Sequence, residues 1–169
     1  DKLDKIEVSG VKKENDGGYM DKCFHCRVNI PAVYDELIPA AQKKQLVPET
    51  RLYGDVEEIE KMPPAERWAY WRRQFEKCIK CYACREVCPM CYCKECIVER
   101  NSPQWISPSV SLKGNLEWNI VRAWHLAGRC IGCGECDRAC PVGIPLSRLN
   151  KKMAKEMKEI FDYEAGAKP

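Results

Sequence analysis

The string Cys78-Ile-Lys-Cys81-Tyr-Ala-Cys84-Arg-Glu-Val-Cys88-Pro89 recurs 52 positions later as Cys130-Ile-Gly-Cys133-Gly-Glu-Cys136-Asp-Arg-Ala-Cys140-Pro141, with every spacing preserved. An internal duplication of this kind constrains the fold more than any hydrophobic pattern, because four thiols in each short run must be bonded to something. The chain holds 13 cysteines in 169 residues, an odd number that argues against a closed disulfide set and for soft-metal ligation in a reducing compartment. Zinc ribbons use two C-x2-C pairs; they need neither a third cysteine, a trailing Cys-Pro, nor a copy of the whole string.

The spacing C-x2-C-x2-C-x3-C-P is that of [4Fe–4S] ligation. Three thiolates two residues apart curl a tight loop around one cuboidal cluster, and the fourth lies beyond that loop's reach. In a two-cluster arrangement it crosses to the other cluster. This assigns Cys78, Cys81, Cys84 and Cys140 to cluster 1, and Cys130, Cys133, Cys136 and Cys88 to cluster 2. Gly132 and Gly134 permit close backbone approach in the second run, where the first has Lys80 and Tyr82, so the two sites are expected to differ in hydration and potential.

Five cysteines remain: Cys23 and Cys26, then Cys91, Cys93 and Cys96 just beyond Cys88. Cys23, Cys26, Cys93 and Cys96 form the preferred third set, with Cys91 as spare or as substitute for Cys93. A third [4Fe–4S] cluster, a zinc ion and unligated thiols all fit this spacing. The closeness of Cys91 to Cys88 would set a third centre beside the second and complete a line of three. His25 reads as a hydrogen-bonding neighbour and His125 as a packed or surface residue.

The two runs resemble the bacterial dicluster ferredoxin family, over about residues 78–92 and 128–146. The resemblance implies an α+β fold, a pseudo-symmetric core of two short hairpins and two helices, extended here by added helices, long loops and an N-terminal clasp. The expected organisation is an arm and clasp over 1–62, a dicluster domain over 63–146 with an insertion at 91–127, and a helical tail over 147–169. With its N-terminal C-x2-C, its aromatic helix and its C-P-x-C-x-C-x2-C extension, the whole also resembles small iron–sulfur subunits of anaerobic oxidoreductases. The nearer likeness is to the subunit accompanying tungsten-pterin class II benzoyl-CoA reductase and related aldehyde oxidoreductases; the other is to the dicluster subunit of heterodisulfide-reductase-like flavin complexes. These likenesses imply a catalytic oxidoreductase partner, with tungsten–pterin or flavin held there.

Several local elements can be read from pattern. Pro63, Pro64 and Glu66 mark a helix start, and Trp68, Trp71 and Phe75 form its apolar stripe. Asn115 is an expected N-cap, with Leu116, Ile120, Trp124 and Ala127 as the buried stripe and Gly128 as the stop. Leu146, Leu149, Met153, Met157 and Ile160 line one face of a tail helix whose Lys and Glu face reads as solvated.

No nucleotide-binding glycine motif, P-loop or nucleophile elbow is present, and no catalytic residue is assigned. The formal charge of +3 becomes about −3 with three clusters at about −2 each, so the 28 Lys and Arg residues read as compensation for cluster charge and not as a nucleic-acid surface. Lack of a secretory start or of an apolar run of about 18 residues gives the expectation of a cytoplasmic protein with no membrane insertion. Electron carriage is the leading expectation, ahead of a zinc-stapled assembly protein and of an enzyme acting through an open iron site.

Overall fold

Proline decides where the first long helix among the described residues begins. Pro63 takes an extended conformation and Pro64 starts α2 (Pro64–Glu76), where a missing N–H costs nothing. In full, the computed structural model describes residues 53–166 and Asp35. By contacts the chain divides into units 1–52 and 53–169, and the first helix among the described residues, α1 (Gly54–Glu60), lies in the second unit. After α2 come the one-turn helix α3 (Ala83–Glu86), a 3-10 turn (Ile97–Glu99), α4 (Leu112–His125), one-turn α5 (Glu135–Arg138) and α6 (Leu146–Phe161).

Among the described residues there is no strand, only an isolated antiparallel bridge between Asn101 and Gln104. The two hairpins of the expected α+β core therefore have no counterpart there, and the cysteine runs are loops ending in a single helical turn. Also among the described residues, no helix is long and apolar enough to cross a membrane.

The α2 stripe is buried only where it meets the cysteines. Phe75 is 2% exposed and stacks on Trp71 at 5.5 Å, whereas Trp68 is 54% exposed. The register of α4 differs from expectation. Its N-cap is Ser111, whose hydroxyl accepts from the Gly114 N–H at 3.2 Å, and its buried residues include Asn115, Trp118, Asn119, Arg122 and Ala123. Ile120 and Trp124, expected inside, are exposed, Trp124 to 69%. The helix lies against cysteine loops rich in carbonyls and sulfurs, and these need donors more than they need apolar area. Asn115 supplies them, its amide donating to Phe75 O at 2.9 Å and Cys78 O at 2.8 Å. The helix also stops at His125, short of Gly128.

The charged face of α6 is partly covered. Lys151 pairs with Asp55 at 3.1 Å, Lys155 with Glu60 at 2.6 Å, and Lys152 also pairs with Glu60, so α1 is clamped there with Val56 and Ile59 buried beneath. At its far end Ile160 and Phe161 are exposed, which shortens the expected apolar stripe.

This packing can be tested at two residues. Replacing Asn115 by Ala removes a donor from two carbonyls, of which Phe75 O keeps the Cys78 N–H at 3.1 Å and Cys78 O loses the Asn115 amide, and is expected to cost about 1–3 kcal/mol in anaerobic denaturant unfolding; a loss within experimental error would refute its bridging role. The Glu60 carboxyl lies below the ordinary range because Lys152 and Lys155 donate to it. A depressed folded pKa stabilises above the unfolded value, about 4.3 for Glu, and that stability fades as pH falls through the folded one. Glu60→Gln should therefore lower stability slightly at pH 7, and the difference from wild type should shrink steadily below about pH 4.

Candidate metal centres

Each cysteine run bends through two left-handed residues and closes with one helical turn. In the first, Lys80 and Tyr82 have φ of 53° and 58°; in the second, Gly132 and Gly134 have φ of 70° and 72°. The hydrogen bonds repeat pair by pair, Arg85 N and Glu86 N to Tyr82 O in one loop, Asp137 N and Arg138 N to Gly134 O in the other. The backbone is thus the same, although a left-handed non-glycine residue costs on the order of 1–2 kcal/mol. Contacts compensate. Tyr82 meets Trp118 edge-on at 5.1 Å, and the buried Lys80 ammonium donates to Ser107 O in the insertion.

Cys78, Cys81, Cys84 and Cys140 line a single recess, walled by Tyr82, Trp118, Asn119, Ile144 and Leu146. The fourth cysteine therefore comes from the distant run. The Cys84 thiol faces Cys78, Cys140 and Cys81, and burial pushes its pKa up. The second group is the complement: Cys130 faces Cys133 and Cys88, and Cys136 faces Cys130 and Cys133. Burial holds Cys130 above its ordinary value and pushes Cys136 up to about 12.

Nitrogen donors surround these sulfurs. Ile144 N–H donates to Cys140 Sγ at 3.3 Å, the Asn150 amide approaches Cys136 Sγ at 3.7 Å, and the Gly132 N–H serves Cys130. Asp137 accepts from Ser147 N at 2.6 Å and tethers the second loop to the start of α6.

Cys91 lies with the second group, not apart from it. Its thiol donates to Cys88, which is thereby pulled down to about 5, and it also touches Arg122. Cys96 is fastened on the side of the first loop. Its N–H donates to Glu99 Oε2 at 2.8 Å, Glu99 pairs with Arg85 at 2.8 Å, and its thiol acts on both Tyr82 and Arg85. This end of the cysteine extension thus stands beside the first loop, whereas the spacing predicts a third centre next to the second. Cys93 is exposed. Cys23, Cys26 and His25 lie outside the described residues, and His125 is exposed at the end of α4.

The donor sets fit iron–sulfur clusters on their chemistry. All eleven described cysteines carry free thiols, and the two groups consist of sulfur alone. Arg122 adds an independent argument. It is 4% exposed, is paired with no carboxylate among the described residues, and has Cys84, Cys91, Cys136 and Cys88 around it. A buried guanidinium is costly without an anion, and the groups around it that can carry negative charge, among the described residues, are cysteine sulfurs.

Sequence reasoning missed Arg122, Asn115, Asn119 and Asn150 as site residues. The one signal was a polar stripe at Asn115, Asn119 and Arg122 on α4, a pattern that ordinarily marks a solvent face.

Comparison with known proteins agrees with this geometry. Residues 74–144 match the 4Fe-4S dicluster domain. The chain is 32% identical over 148 residues to the F420-dependent formate dehydrogenase subunit beta of Methanocaldococcus jannaschii, covering 86% of this chain and 34% of that protein. It is 36% identical over 107 residues to the F420-dependent formate dehydrogenase 1 subunit beta of Methanococcus maripaludis, covering 63% of this chain and 26% of that one. The chain thus spans about a third or less of the length of these relatives. Residues 74–144 are a 4Fe-4S dicluster ferredoxin domain, in a chain homologous to formate dehydrogenase beta subunits.

Proposed function

We propose that this chain is an iron–sulfur electron-transfer component of an oxidoreductase complex, with Cys78, Cys81, Cys84 and Cys140 holding one [4Fe–4S] cluster and Cys130, Cys133, Cys136 and Cys88 the other. The observation that carries the reading is the gathering of Cys140 with the first three cysteines around one recess. When bound, such a cluster takes up and returns single electrons. The chain's own part is to fix the thiolates, direct N–H groups at them, and wall the first site with Tyr82, Trp118, Ile144 and Leu146 so that water is limited and the environment sets the potential.

In this reading Cys93 and Cys96 are the described cysteines available to a third site. Cys93 is preferred over Cys91 because the Cys91 thiol is already engaged with Cys88 and Arg122. The third metal group is a [4Fe–4S] cluster, with zinc as the alternative. The position of Cys96 beside Tyr82 supports the order third site, first, second along an electron path.

The partner is a catalytic subunit of an oxidoreductase, and the names of the relatives favour a formate dehydrogenase working with F420. A tungsten–pterin benzoyl-CoA reductase partner is the narrower alternative, and those two relatives lend it no support. Anaerobic co-purification distinguishes them through the activity of the captured enzyme.

Anaerobic protein is expected to contain about twelve iron and twelve acid-labile sulfide per chain, or about eight of each plus one zinc if the third site holds zinc. Values near zero would refute the reading. Cys140→Ser should alter the paramagnetic signal of the cluster held by Cys78, Cys81 and Cys84 and spare the other; the reverse pattern would overturn the crossed ligation.

A further inference from the structure

Between the two cysteine groups stands one permanent positive charge. Arg122 projects from the buried face of α4, donates from Nη2 to Cys84 O at 2.7 Å, and leaves its buried Nε without a hydrogen-bond partner. Its neighbours come from both groups, Cys84 from the first and Cys88, Cys130 and Cys136 from the second. Lys80, the other buried cation near a cysteine among the described residues, faces Cys78 of the first group and Glu117.

We infer that Arg122 is a shared counter-cation that raises the reduction potentials of both clusters, a role that rests on the function proposed above. Each cluster gains one negative charge on reduction. A fixed cation in a poorly polarisable interior favours that reduced form, and its influence falls off only slowly with distance there. Placed between the two groups, the guanidinium acts on both and offsets the repulsion between the added electrons when both are reduced. It stays charged at any pH the protein tolerates, so this contribution is constant. The hydrogen bond to Cys84 O and the packing of α4 hold it in place, which makes Arg122 a positioning residue for electron transfer, not a ligand.

The test is a redox titration of the full chain, loaded with iron and sulfide under anaerobic conditions and followed by paramagnetic resonance and visible absorbance. At a fixed solution potential, Arg122→Gln is expected to lower the reduced-to-oxidised ratio of both clusters about tenfold, or about 59 mV for one electron. Arg122→Lys, which keeps the charge, is expected to stay within about threefold of wild type, well inside that tenfold step. An unshifted Gln variant, a shift confined to one cluster, or a Lys variant displaced as far as the Gln variant would each overturn the inference. Should the Gln variant fail to take up iron, the Lys variant decides: assembly with unshifted potentials upholds the role of charge, and failure or a shift overturns it. Wild-type protein that binds no iron would instead sink the function proposed above, so the two failures are distinguishable.

Discussion

Thiols from chain segments 52 residues apart meet around common centres, and the rest of the fold is arranged to bring them there. Each cysteine run is too short to enclose a metal group by itself. α2 delivers the chain into Cys78 and α4 delivers it into Cys130, so these two helices act as struts for two copies of one loop. Phe75, Trp118, Ile144 and Leu146 pack with Cys78, Cys84 and Cys136 in a single core, so the apolar cluster and the sulfur sites are one structure. Stability and metal binding are therefore linked, as in other small metal-dependent domains.

The gathering of Cys140 with Cys78, Cys81 and Cys84 was legible in the duplicated motif, because covalent spacing limits what a thiol can reach. The start of α2 was legible too, since two prolines and a glutamate signal a helix N-terminus by local rules. The buried face of α4 was not. Reading Leu116, Ile120, Trp124 and Ala127 as the inner stripe assumes that a core attracts apolar side chains, whereas this helix faces carbonyls, thiols and an anionic site. Asn115 and Arg122 go inside because their N–H groups are wanted there, and Asn119 goes in with its amide donating back to Asn115 O in the same helix. The docking of α1 on the charged face of α6 was missed for a related reason: Asp55 and Glu60 find their lysines about 95 residues away, beyond any local pattern.

The two halves of the repeat share a backbone and differ in what surrounds it. Lys80 and Tyr82 occupy positions where the second loop has glycines, and each is held by a partner the second loop lacks, Ser107 O for one and Trp118 for the other. The long insertion thus has a structural use: it covers the first loop, where strained residues need support. Arg85 and Glu99 tie the Cys96 end of the extension to the same loop, which draws the additional cysteine toward the first centre.

X-ray absorption at the iron edge, on protein isolated without oxygen, tests the central claim most directly. The account predicts iron surrounded by sulfur alone, with a second iron at the short distance found inside a cuboidal cluster. Iron bound through nitrogen or oxygen, or isolated ions with no iron neighbour, would contradict it.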